Sequence, residues 1–255
     1  MPVEVVTVPC RSDNYAYLVH DTGSGQTALV DAPSVDPIVD ALEARGWGLE
    51  QIWITHHHAD HTDGVPDLVA KYGSKTVGHA KDRARLPALD VELSEGETVT
   101  LGESTARVID VSGHTIGHIA FVMDNDNVAF TADSLMALGC GRVFEGTHAM
   151  MWESLSKFLD MPDDMLIYSG HNYGQANGRF ALSIEPENKA LLDRIDAIKA
   201  ADATGAFIVP VSMAEEKATN PFLRAVEPSV KASVGLDGAD DASTFAEVRR
   251  RKDSF

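Results

Sequence analysis

The chain has 255 residues, 44% hydrophobic and 24% charged, an ordinary balance for a globular fold long enough to bury a large core. Its 39 acidic against 21 basic residues give a formal net charge of −18, a field that repels phosphate backbones and argues against a nucleic-acid partner. No basic segment precedes an apolar run at the start, no stretch approaches the ~20 apolar residues of a membrane span, and two cysteines make no disulfide framework; the expectation is a cytoplasmic protein with no membrane partner.

Val3–Val8 alternates Val with Glu or Thr, the period-two pattern of a half-buried strand, and Tyr15–Val19, Thr27–Val30 and Gln51–Thr55 read as further strands. Asp36-Pro37 opens a helix, with Asp as N-cap, Pro in the first helical position, Ile38, Val39 and Leu42 as the buried stripe and Gly46 as the cap. Val65, Leu68, Val69 and Tyr72 make a second amphipathic helix that stops near Gly73. Lys75–Val77, Thr105–Val111, Ile119–Met123 and Val128–Phe130 resume the strand pattern. Met151, Trp152, Leu155, Phe158 and Leu159 form another helical stripe, and Met165–Tyr168 is a strand leading into Ser169-Gly170-His171. The texture then changes. Glu185-Pro186 starts a helix carrying Leu191, Leu192, Ile195 and Ile198, and the Ala-rich remainder is poor in strand signals. The pattern predicts an α+β sandwich of sheets flanked by helices over residues 1–173, followed by a small helical domain over 174–255.

The segment Thr55-His56-His57-His58-Ala59-Asp60-His61 follows a strand. In extended backbone His56 and His58 point the same way and His57 the other, after which Asp60 and His61 follow as the chain turns towards the next helix. Imidazoles crowded this closely are poorly tolerated without a ligand, and the number of donors suits two adjacent ions better than one. Mixed imidazole and carboxylate donors suit zinc, iron or manganese. Three more candidates lie just beyond strands: His114, Asp133 and His171. A carboxylate such as Asp133 can bridge two ions, which an imidazole cannot. Any one of these taken alone reads more simply as a surface or hydrogen-bonded residue; the cluster is what distinguishes them. His20, His79, His118 and His148 lack that context and read as structural or exposed, and Cys140 as a small packed residue.

His-x-His-x-Asp-His, then Gly113-His114-Thr115, a strand-terminal Asp133 and Gly170-His171 resemble the metallo-β-lactamase superfamily pattern. More narrowly, the chain resembles glyoxalase II, the hydroxyacylglutathione hydrolases. Asp13-Asn14-Tyr15, Gly139-Cys140-Gly141-Arg142, Gly170-His171-Asn172-Tyr173, Glu185-Pro186 and Asn220-Pro221-Phe222-Leu223-Arg224 carry that likeness. It implies an αββα sandwich with a helical domain that helps bind glutathione, two divalent ions (zinc first, iron or manganese otherwise), and a monomer. By the resemblance, His56, His58 and His114 hold one ion, Asp60, His61 and His171 the other, and Asp133 bridges them. Asp60 and Asp133 serve catalysis, with a metal-activated hydroxide attacking the thioester, and Arg142, Tyr173 and Arg224 contact the glutathione moiety. The chain departs from the pattern at Asp63, where a glycine is usual and an extra carboxylate could alter metal preference, and at Phe144, where some members carry a Tyr hydroxyl. A glutathione-persulfide dioxygenase of the same fold is the nearest alternative, disfavoured by the Asn220–Arg224 segment; a metal-dependent nuclease is the next, disfavoured by charge.

Overall fold

The structure, a computed structural model, describes residues 3–255; Met1 and Pro2, which open the expected first domain, lie outside them. The chain forms two compact units, the first running to Asp110 and including Thr115–Thr131, the second made of Val111–His114 and Ala132–Phe255.

In the first unit β1 (Val3–Cys10) and β2 (Asn14–Asp21) form an antiparallel hairpin in unbroken register, from Val3 opposite Asp21 to Cys10 opposite Asn14. β3 (Thr27–Val30) adds antiparallel to β2, and β4 (Gln51–Trp53), β5 (Lys75–His79) and β6 (Val91–Leu93) then add in parallel. Parallel neighbours need crossovers. These are α1 (Asp36–Glu43) between β3 and β4, and the short α2 (Ala59–Thr62) with α3 (Val65–Tyr72) between β4 and β5. The crossovers bury Ile38, Leu42, Val65 and Leu68 against Leu18, Leu29, Ile52 and Ile54 of the sheet. The second sheet of this unit is an antiparallel meander of β7 (Thr98–Leu101), β8 (Ser104–Asp110), β9 (Ile119–Met123) and β10 (Val128–Ala132). Trp53 stacks on Phe121 at 5.2 Å and Tyr17 meets Phe130 at 5.6 Å, joining the two sheets through aromatic side chains.

The second unit contains the hairpin β11 (Leu135–Met136) and β12 (Gly139–Cys140), α4 (His148–Leu159), β13 (Leu166–Ser169), α5 (Gly174–Ile184) and α6 (Lys189–Thr204). β14 (Val211–Ser212), antiparallel to β13, precedes α7 (Met213–Thr219), α8 (Pro228–Ser233) and α9 (Asp241–Asp253). Its helices grip the segment after Ala132. Asn220 donates to the carbonyls of Met136 (3.2 Å) and Gly139 (2.9 Å), Asn177 to that of Ala137 (3.0 Å), and Arg249 to that of Cys140 (3.1 Å). Buried carbonyls satisfied this way tie the β11–β12 hairpin to the helices within one compact unit. The α+β class holds, as two sheets and a helical remainder, and among the described residues no helix is long and apolar enough to cross a membrane.

Some local readings need correction. Asp36 is the first residue of α1, with Val35 before it and no side-chain cap. Glu185-Pro186 does not start a helix. It separates α5 from α6, which is capped by Asn188 accepting from Leu191 N at 3.2 Å, and Leu192 is 42% exposed, off the buried stripe. α5 escapes a propensity reading because Gly174, Asn177 and Gly178 are weak helix formers. They are there for packing: a Cβ on Gly174 would lie 2.6 Å from Ile208.

Candidate metal centre

In the first unit, the chain leaves β4 through Ile54, whose N–H donates to Val77 O, and remains extended to His58 (φ −61°, ψ 141°) before α2 begins. His56 and His58 come within 3.1 Å (Nε2 to Nδ1), and the His61 ring lies 4.2 Å from that of His56. His57 turns the other way, with Nδ1 3.2 Å from Asp82, as alternation demands. Asp60 is 37% exposed and stands beside His61, whose Nε2 is 3.7 Å from Asp60 Oδ2.

Behind these donors lies a shell that the sequence reading passed over. Asp31 follows β3 with φ +57°, a left-handed conformation uncommon for a residue with a Cβ. Its buried carboxylate accepts from Thr55 N (2.9 Å) and Thr55 Oγ1 (2.7 Å), and lies 2.7 Å from His61 Nδ1. Holding Nδ1 leaves His61 Nε2 as the coordinating atom, the usual second-sphere arrangement for a metal ligand. The signal was present: Asp31 ends a strand just as Asp133 does. His118, read as structural, is fully buried with its ring stacked 4.6 Å from His56. Asp63 is held in an ion pair. Its Oδ2 accepts from the Arg11 guanidinium at 2.5 Å, which accounts for an acid in this place.

In the second unit, His114, Asp133 and His171 are each at most 5% exposed. Ala132 (φ +41°) turns Asp133 off the end of β10, and Gly170 N donates to Ala132 O to bring His171 alongside. His114 Nε2 lies 3.5 Å and His171 Nε2 3.3 Å from the same oxygen, Asp133 Oδ2. His114 Nδ1 is 2.8 Å from Arg142 O. A carbonyl only accepts, so Nδ1 carries a proton, and Nε2 is the ring atom that faces the carboxylate. Two imidazole nitrogens and a carboxylate oxygen converging in a buried site are a donor set that a cation between them would satisfy. These donors therefore fit a divalent metal, and the packing protects them: a Cβ on Gly141 would lie 2.2 Å from Asp133 O and 2.8 Å from His114 Nδ1. Phe144, 62% exposed, leans on His114 with ring centroids 5.2 Å apart, and Tyr173 stacks parallel on His171 at 4.7 Å.

The residues expected to meet substrate differ in their surroundings. Arg142 is exposed, at the edge of a basic group comprising Arg179, Arg249 and Lys252 that the sequence reading did not single out. Burial, reinforced by the charges of Arg249, Arg179 and Arg142, pulls the Lys252 ammonium down from 10.5 to about 8. Its Nζ donates to Ala176 O at 3.2 Å and lies over the rings of Phe180 and Phe255. Arg249 is buried and paired with Asp253 at 2.8 Å, so Lys252 and exposed Arg142 are the cations of this group placed to meet an anion. Arg224, in contrast, is engaged. It holds Glu185 in a two-pronged pair (2.6 and 2.9 Å) at side-chain exposures of 17% and 7%, and the bonded guanidinium keeps that carboxyl below its usual range against the upward push of burial. Arg224→Ala should strand Glu185 and cost about 3 kcal/mol, or roughly 6–12 °C of melting temperature. A KM raised tenfold with an unchanged melting temperature would favour the substrate role instead. Cys140 is buried and burial pushes its thiol up to about 11, as befits a packing residue.

Comparison with known proteins agrees with this chemistry. Residues 11–171 match the Metallo-beta-lactamase superfamily and residues 172–255 the family described as Hydroxyacylglutathione hydrolase C-terminus. The chain is 55% identical over 255 residues, all of both chains, to a protein of Ruegeria pomeroyi named Hydroxyacylglutathione hydrolase. Its fold is similar to that of ETHE1 from Myxococcus xanthus (TM-score 0.68, 22% identical, 98% of this chain and 90% of that one). It is also similar to that of TTHA1623 in a di-iron-bound form (TM-score 0.57, 24% identical, 66% of this chain and 92% of that one).

Proposed function

This chain belongs to the hydroxyacylglutathione hydrolases of the metallo-beta-lactamase superfamily, and on that premise we propose how its residues hydrolyse a hydroxyacylglutathione thioester to the 2-hydroxy acid and glutathione. The observation that carries the reading is the pair of imidazole Nε2 atoms directed at one buried carboxylate oxygen, at 3.5 and 3.3 Å. We assign His56, His58 and His114 to one divalent ion, Asp60, His61 and His171 to a second, and Asp133 to both. Zinc is the first candidate; iron or manganese would suit the same donors. When bound, such ions supply Lewis acidity and lower the pKa of water to about 7.

The remaining chemistry belongs to the side chains. Asp60, partly open to solvent, orients the attacking water. Asp31 and the Arg142 carbonyl keep the imidazoles of His61 and His114 in the tautomers that coordinate through Nε2. The carbon–sulfur bond breaks with the electron pair leaving on sulfur. A thiol of ordinary pKa ~8.5 departs as thiolate without needing a proton from a general acid. Substrate carboxylate meets the basic group, with Lys252 and Arg142 as its main contacts, supplying local attraction in a chain of net charge −18. Tyr173, stacked on His171, lies beside the thiol end of the tripeptide. The reading carries with it a cytoplasmic monomer acting on a small molecule and on neither nucleic acid nor membrane.

Free-thiol release from S-lactoylglutathione, measured beside metal content, tests this. One thiol per substrate with two equivalents of metal, both abolished by a chelator, is expected. Oxygen uptake with glutathione persulfide and no thiol release from the thioester would overturn it.

A further inference from the structure

The turn joining β1 to β2 reaches both ends of α2. Asn14, 4% exposed, opens β2, and its Nδ2 donates to Asp60 O at 3.0 Å and to Asp60 Oδ2 at 3.1 Å. Arg11, at φ +51°, donates through Nε to Pro33 O (2.8 Å) and through its guanidinium to Asp63 Oδ2 (2.5 Å). One staple thus holds Asp60, the second residue of α2, and the other holds Asp63, which caps its C-terminal end. The Asn14 contacts bear on Asp60 directly, because its side chain is partly exposed and sits on a helix of only four residues, where its χ1 and χ2 set the direction of the carboxylate.

We propose that Asn14 is the positioning residue for Asp60, presenting its carboxylate in a single rotamer to the ion it ligates, with the Arg11–Asp63 pair fixing the backbone on the far side of the turn. The chemistry favours an amide. It donates to backbone and side chain of the same residue, so the carboxylate is set relative to its own main chain. It also carries no charge, so Asp60 keeps its full negative charge for the metal, which a lysine or arginine in that place would partly neutralise. The inference rests on the assignment of Asp60 to a metal ion.

The test uses full-length protein, reconstituted with zinc and titrated against a competing chelator to resolve each ion's dissociation constant, with Asp60→Asn marking the constant that belongs to Asp60's ion. Asn14→Leu keeps the volume and removes the donor, and Asn14→Ala removes both. Each should raise that same constant about 10- to 100-fold, as loss of outer-sphere partners does, leaving the other ion's constant unchanged, while the metal-free melting temperature falls by only the few degrees that one lost hydrogen bond to the Asp60 carbonyl costs. Unchanged constants in both variants would overturn the proposal, as would equal loss of both ions with a larger fall in the metal-free melting temperature, the mark of a purely structural role. A single equivalent of metal in the unaltered protein would overturn the two-ion assignment. In that case, an unchanged constant for the remaining ion in Asn14→Leu would overturn the positioning role too.

Discussion

Asp133→Asn is expected to lose bound metal and to lower kcat/KM for S-lactoylglutathione by more than 100-fold, with the fold intact. Outer-sphere partners alone are worth ~10–100-fold in affinity or activity, and Asp133 is placed inside that shell, facing His114 and His171 Nε2 at 3.5 and 3.3 Å. The amide preserves shape but removes the charge that two imidazole lone pairs and a cation would share. The same substitution should leave metal-free protein about as stable as the parent, because a buried, 5% exposed carboxylate is costly to desolvate without a cation. What disappears is the stabilisation by added metal, since an ion that binds only the folded state raises its stability by mass action. Elemental analysis and thermal melting with and without zinc check both halves. Full metal content in Asp133→Asn would contradict the assignment.

Lys252 is expected to impose a downturn on kcat/KM as pH rises through about 8, where its ammonium loses its proton. The direction follows from the free enzyme: above that pH the native group is neutral and no longer attracts carboxylate, and kcat/KM reports groups of the free enzyme. Lys252→Met should lose ~10- to 150-fold in kcat/KM below pH 8, the value of a charged hydrogen bond of ~1.5–3 kcal/mol, and should lose the downturn. Lys252→Arg should retain activity and flatten the profile, since a guanidinium stays protonated throughout. The stability effect has the opposite sense. Between about 8 and the ordinary 10.5 the unfolded chain holds a proton on this lysine that the native state has released, so this group makes folding more favourable with rising pH across that window. A downturn that persists in Lys252→Met would assign it to another group.

The metal donors were legible because their information is local. His56, His58, Asp60 and His61 are set by strand alternation followed by one turn of helix, and Asp133 and His171 by the rule that a chain leaving a strand end exposes its next side chains. Residue chemistry did the rest, since closely spaced imidazoles and carboxylates leave few readings other than a metal. The same rule applied to Asp31 would have found it; only its isolation from the histidine cluster concealed it.

What the sequence could not reveal is which distant partners pair. Asn14 reaches Asp60 across 46 residues and Asp31 meets His61 across 30, contacts created by sheet order and the crossover after β3. Arginines are interchangeable in sequence and become distinct only in packing: Arg224 is tied to Glu185 and buried Arg249 to Asp253, while Arg142 is exposed near Lys252. Asp63, an unexplained acid when read along the chain, is explained by Arg11 from the neighbouring hairpin turn. Local spacing and donor chemistry thus determined which residues are the candidates to hold a divalent metal. Tertiary structure decided how those residues are held and which basic side chains are paired, because burial and ion pairing depend on neighbours that only folding brings together.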